Sequence, residues 1–234
     1  MNRTTFFLIF SMLTLTVHAQ HYQHKTFWTR GLVTAPLSKK WDFFGEYIHR
    51  QQNEIGSNNP FSHASFQEVR LWGYYKYKNW VFQVNPYTFI HSVPFLGKPA
   101  DYNANPNFEH RVAVGAEVKQ VVGKFTFKER FQYEYRFLKS LNYVGTARAR
   151  LKGSVEYDLA KNTKLRLSEE YWFNVPPRNV PNRFDQNWIS LNVAQQITPH
   201  FTLEFGYRRN QRERNTIVEF DDENGLDVCF NLKF

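Results

Sequence analysis

The stretch FTFKERFQYEYRFL, residues 125–138, decides how this chain is read. Taken at period two, Phe125, Phe127, Phe131, Tyr133, Tyr135 and Phe137 share one face, interrupted by Glu129. Thr126, Lys128, Arg130, Gln132, Glu134 and Arg136 share the other. Successive side chains of a β-strand point to opposite faces, so the pattern predicts a strand with one aromatic and one charged face. A helix would scatter the same aromatics around its circumference.

The pattern recurs along the chain. Residues 108–122 set Val112, Val114, Ala116 and Val118 against Glu109, Arg111, Glu117 and Lys119. Residues 144–159 set Ala147, Ala149, Leu151, Val155 and Tyr157 against Arg148, Arg150, Lys152, Ser154 and Glu156. Residues 164–174 and 226–234 alternate in the same way, and further strands are readable at 26–37, 41–51, 66–78, 80–92, 183–198 and 201–213. That makes about eleven. The connections alternate too: LSKKW, KYKNW, VVGKF, LAKNTK and ITPHF are tight, whereas 52–65, 93–107, 139–143, 175–182 and 214–224 are longer and polar. Short turns at one end and long loops at the other are the habit of outer-membrane barrels.

A soluble sandwich would also alternate, with its apolar faces turned inward. Three features favour a barrel in lipid. The apolar face is rich in aromatics, with Trp41, Trp80 and Phe201 beside tight turns, where an interfacial girdle belongs. Sequential turns give a meander, and the last strand ends in Phe234. The expected fold is therefore all-β, an antiparallel up-and-down transmembrane β-barrel of ten to twelve strands. Because single-chain bacterial barrels are normally even, an odd count of eleven predicts either that 26–37 is not a full strand or that one more exists.

Composition fits an exported barrel. The 234 residues carry a net charge of +9 and are 18% aromatic. The one long apolar run, FFLIFSMLTLTV behind Arg3 and ahead of VHA, is too short for a membrane helix and reads as a signal peptide over residues 1–19. Residues 20–234 form the barrel domain, and losing Arg3 lowers the charge to +8. No Cys follows the cleavage point to take a lipid, and Cys229 is alone, so no disulfide framework exists. Export argues against nucleic acid as the partner of this basic chain. The outer membrane of a Gram-negative bacterium is the expected location, with outer-membrane lipid and lipopolysaccharide phosphates as partners. The assembly machinery for barrels is expected to engage the final strand ending in Phe234.

Several stretches carry a family likeness: FWTRGLVTAPLSKKW, FEHRVAVG, KERFQYEYRF, EEYWFN and FTLEFGYRRNQRER. Through them the chain resembles domain of unknown function 2490, a family of barrel proteins from Bacteroidota-type outer membranes. The resemblance implies the barrel fold and the outer-membrane location, and it brings no catalytic residues.

If the aromatic face meets lipid, the charged face lines a lumen. Its basic members include Arg111, Lys128, Arg130, Arg136, Arg148, Arg150, Lys152 and Arg166, and its acids include Glu109, Glu117, Glu134, Glu156 and Glu170. Charged rings of this kind set pore selectivity. Equally, Arg and Glu can pair across strands and fill a small barrel. Arg148, Arg150 and Lys152, facing Lys128 and Arg130, make the best candidate anion site unless Glu134, Glu156 or acids beyond neutralise it. The expected function is a narrow pore for small polar or anionic solutes, or a structural envelope protein without enzymatic activity. The alternative is a membrane-embedded lipid or lipid A hydrolase using His63 and Ser65, with Glu54 or Glu68 to orient the histidine. No cofactor is expected. His21 and His24, read as a flexible end, and Asp221, Asp222 and Glu223, read as a solvated loop, are weak metal ligands.

Overall fold

The computed structural model describes residues 19–234; the expected signal peptide lies, but for Ala19, outside them. Within the described residues eleven strands follow one another: β1 Gln20–Pro36, β2 Trp41–Gln52, β3 His63–Tyr77, β4 Trp80–Ser92, β5 Asn107–Val122 and β6 Phe125–Leu138. They continue with β7 Gly145–Ala160, β8 Thr163–Val175, β9 Phe184–Thr198, β10 Phe201–Glu213 and β11 Glu219–Lys233. Among the described residues the only helical pieces are short 3-10 turns at Pro99–Asn103 and Lys139–Leu141. Each strand pairs antiparallel with its neighbours in sequence, and the sheet closes as a barrel.

Closure corrects the expectation of an even count. With every strand antiparallel to the one before, the first and eleventh run the same way, so they can meet only in parallel. β1 and β11 do so over fifteen residue pairs, from Gln20↔Glu219 to Thr34↔Lys233. The first strand is the longest of the barrel, at 17 residues, not a fragment. Where β3 and β4 slip register, Pro86 supplies no N–H to the ladder. Asn85 compensates, donating from Nδ2 to the carbonyls of Leu71 (2.5 Å) and Tyr87 (3.0 Å).

The stretch 125–138 forms β6 with the expected faces. Phe131 is 49% exposed, while Glu134 and Arg136 are buried. The same inversion runs around the barrel: Val114, Leu151, Leu167, Leu191, Phe205 and Phe230 point outward, and Glu68, Glu109, Arg148, Glu170 and Asp227 point inward. Trp41, Trp80, Tyr77 and Phe125 ring the short-turn end, and Phe61, Tyr102 and Tyr143 the other. An apolar outer belt between two aromatic girdles is what lipid selects on a barrel, whose closed sheet leaves no unpaired backbone edge. Strands of 12 to 17 residues exceed the roughly 9–11 needed to span the hydrocarbon. The fold is a transmembrane β-barrel.

Candidate functional site in the barrel lumen

Side chains fill most of the lumen, and their charges are laid out as alternating partners. Glu134 accepts from Arg148 (Nε 2.9 Å, Nη2 2.5 Å) and from Arg150 Nη1 (2.7 Å). Arg148 continues to Asp185 at 2.5 Å, and Arg150 to Glu170 at 2.8 Å, where Arg130 also binds at 2.9 Å. Glu109 holds Arg136 at 2.6 Å and also takes Arg111. Nearer the short turns, Glu156 takes Lys128 and Arg166, both at 2.8 Å, and Arg166 passes to Glu204 at 2.9 Å. Asp227 closes the circuit between Arg30 (3.0 Å) and Arg208 (2.6 Å). Such pairing is required, since an isolated charge in a narrow, poorly hydrated lumen costs several kcal/mol.

The network reshapes the expected anion cluster. Lys128, Arg130, Arg148 and Arg150 each have a carboxylate, drawn partly from Glu170 and Asp185 on strands farther round. Lys152 does not: its cross-strand neighbour Glu170 is taken by Arg130 and Arg150. Among the described residues Lys152 has no carboxylate within 4.0 Å. Glu117, half-buried and opposite Arg130 in the register, likewise makes no ion pair.

Across the middle of the lumen runs a stacked layer that the strand pattern had not singled out. Arg208 lies between Trp28 (4.5 Å) and Trp188 (4.4 Å), and Trp188 packs on Trp172 with ring centroids 4.8 Å apart. Arg148 and Arg150 cover Trp172 at 4.1 and 4.0 Å. On the other flank Arg50 sits 5.2 Å from Trp28 and 4.0 Å from Phe95. Parity held the signal: Trp172 shares the inward positions of Arg166 and Glu170, although Tyr171 and Phe173 make it look like part of an outer face.

At the long-loop end, the segment joining β4 to β5 turns into the mouth. Phe95 and Leu96 are buried, and Phe95 stacks on His24 at 4.5 Å. Arg214 bridges Asp101 (3.1 Å) and Asp221 (2.6 Å), and Lys98 reaches Glu219 at 2.6 Å. That hydrogen bond raises the pKa of Lys98, a loop residue outside the membrane span. Two expectations are corrected here. His21 and His24 belong to β1 and not to a loose end: His24 is fully buried, 2.8 Å from Asp221, and His21 lies 2.8 Å from Asp222. Asp221, Asp222 and Glu223 are strand residues of β11 and not a solvated loop, because β1 supplies their donors.

His63 and Ser65 both belong to β3, not to the preceding loop. Glu54 lies 2.8 Å from His63 Nε2. The Ser65 hydroxyl accepts from Arg50 Nε (2.9 Å) and donates to the Arg50 carbonyl (3.3 Å), and no hydrogen bond joins it to His63. No group of three or more His, Cys, Asp or Glu among the described residues is arranged to hold a metal.

Three spaces follow one another along the lumen. One of about 310 Å³ lies at the mouth, one of about 90 Å³ in the upper lumen, and one of about 180 Å³ below the tryptophan layer. Arg136, Leu138, Asp185 and Arg212 wall both the first and second. Arg70, Arg150 and Trp188 wall both the second and third.

A family model described as "Protein of unknown function (DUF2490)" matches residues 25–221. The chain belongs to this family. No curated protein matches this DUF2490 chain. Among solved structures it is similar to the NanC porin, at 12% identity and a TM-score of 0.48, over 84% of this chain and 92% of that one. It is also similar to the outer-membrane expressed OmpT of Vibrio cholerae, at 9% identity and 0.38, over 79% and 60%. A mutant of the ferric enterobactin receptor PfeA of Pseudomonas aeruginosa matches at 12% and 0.36, over 76% of this chain and 32% of that one.

Proposed function

We propose that this DUF2490 barrel sits in the outer membrane of a Gram-negative bacterium and gives small polar solutes, anions above all, a narrow route across it. One observation carries the reading: three spaces in series share their walls along a single lumen, and the innermost is lined by seven cations and four carboxylates. Cationic walls attract anions and repel cations, while the Trp28–Arg208–Trp188–Trp172 layer limits the size of what passes. The aromatic outer belt contacts outer-membrane lipid and lipopolysaccharide, and the final strand ending in Phe234 engages the barrel-assembly machinery. The protein is a passage and not a lipid hydrolase in this reading, because the Ser65 hydroxyl is committed to Arg50 and not to His63.

Reconstitution of the purified barrel in a planar bilayer under a KCl gradient tests it. Small, discrete conductance steps with a reversal potential on the chloride side are expected. Absence of conductance, or cation selectivity, overturns the proposal.

A further inference from the structure

The space below the tryptophan layer differs from the rest of the network in what is left over. In the upper lumen the guanidinia of Arg111, Arg136 and Arg148 are met by Glu109, Glu134 and Asp185. Here Arg130 Nε, Arg208 Nε, Arg208 Nη1 and Trp188 Nε1 are buried without a hydrogen-bond partner. Lys152 adds an ammonium with no carboxylate within 4.0 Å. Arg208 is 5% exposed and rigidly clamped between two indoles, so it cannot swing to another acceptor. The one unpartnered buried acceptor among these lining residues is Gln132 Oε1. A buried donor without an acceptor is costly, and native proteins satisfy such groups with water or ligand. Five donors from Arg130, Arg208, Trp188 and Lys152, beside an excess of positive charge, call for a guest that is rich in acceptors and negative.

We propose that this chamber is a binding site for one compact oxyanion, a small carboxylate or inorganic phosphate, held by Lys152, Arg130, Arg208 and the Trp188 indole. The planar guanidinium edges of Arg130 and Arg208 suit carboxylate or phosphate oxygens, and Lys152 supplies a point charge without fixed direction. At about 180 Å³ the chamber takes one such ion and excludes oligomeric solutes. On the side of the upper space it is bounded by Trp188, with Arg208 stacked on that indole, so passage out of it in that direction is narrow. The site deepens the proposed route and rests on that reading only for how its ligand arrives.

Calorimetric titration of the full-length barrel in detergent with sodium succinate, and separately with sodium phosphate, tests the site. Saturable one-to-one binding of at least one is expected, and which one binds identifies the oxyanion. Lys152→Met should weaken binding at least tenfold, Lys152→Arg should restore most of it, and Lys39→Met on an exposed turn should change nothing. Heat-modifiable migration on gels confirms that each variant is folded. No saturable binding of either anion overturns the site, and so does binding indifferent to Lys152→Met. The bilayer measurement separates the two ideas: binding without conductance sinks the route and keeps the site, and conductance without binding does the reverse.

Discussion

Glu134→Gln probes whether the lumen is held by paired charges or merely filled by them. The carboxylate is buried and accepts three bonds: two from Arg148 at 2.9 and 2.5 Å and one from Arg150 at 2.7 Å. Glutamine keeps the volume but removes the charge, so the perturbation is electrostatic and not a cavity. Breaking a buried pair by deleting one partner typically costs about 3–5 kcal/mol, because a buried charge is left uncompensated. Two facts pull the value toward the lower bound. Arg148 keeps Asp185 at 2.5 Å, and Arg150 keeps Glu170 at 2.8 Å. Both guanidinia also line the upper space of about 90 Å³, where water can reach them. The expected loss is therefore about 3 kcal/mol, read as a shift in a reversible urea titration of the barrel into phospholipid vesicles. The internal comparison is Lys164–Asp158, a pair at 2.6 Å whose side chains are each 49% exposed. Removing it with Asp158→Asn should cost no more than about 1 kcal/mol. If Glu134→Gln costs as little as Asp158→Asn, the lumen is well hydrated and the pairing argument fails.

Trp188→Ala removes the indole shared by Arg208 and Trp172, joining the upper and lower spaces; single-channel conductance should at least double, and an unchanged value refutes the layer as the constriction. Glu129 and Glu169 both point to the lipid side across Gly153, which offers no side chain between them. Glu129→Leu should raise stability by up to about 1 kcal/mol, since outward charges near the membrane interface cost little but not nothing; a loss of stability in vesicles would give Glu129 a partner. At the mouth, the Lys98 pKa lies above its unfolded value, so its hold on Glu219 is complete below the ordinary lysine range near 10.4 and is lost as pH rises through the raised value. An environment-sensitive dye on Ala100→Cys in a Cys229→Ser background should keep its emission through pH 10 and shift only above it, and a shift near neutrality refutes the latch. Asp101→Ala, which detaches the mouth segment from Arg214 while Arg214 keeps Asp221, should shift it at neutral pH.

How much of this was legible in the sequence depends on whether a feature is periodic. The two faces of every strand could be read because parity is local: Phe131 out and Gln132 in follows from nothing but alternation. Strand ends were less clear, since His63 opens β3 from what reads as polar loop. The charge network was legible only as a list. Which acid meets Arg148 depends on register with β9, whose Asp185 lies 37 residues away, and alternation carries no information about that. Lys152 illustrates the limit, because its lack of a partner follows from Arg130 and Arg150 having taken Glu170 first.

The two ends of the barrel are the segments whose composition most disguises their structure, and one physical cause accounts for both. Gln20–Lys25 and the acidic run at 221–223 each look unfit for a barrel wall when taken alone, the first a polar terminus and the second a cluster of like charges. They are adjacent strands of the parallel seam. In that register β1 supplies donors where β11 supplies carboxylates: His24 to Asp221, His21 and Gln23 to Asp222, Thr26 and Trp28 to Glu223, and Arg30 to Asp227. Gly225 completes the fit, because a Cβ there would strike Thr26 Oγ1 and come within 3.2 Å of the Trp28 ring. Parallel ladders are slightly weaker per residue than antiparallel ones, and an eleven-stranded barrel cannot avoid one. Side-chain bonding along the whole upper half of the seam offsets that weakness. It also puts Trp28 over the lumen, against Arg208 and Arg50. The polarity that hid these two segments as strands is therefore what allows an odd barrel to close, and the same closure builds one side of its constriction.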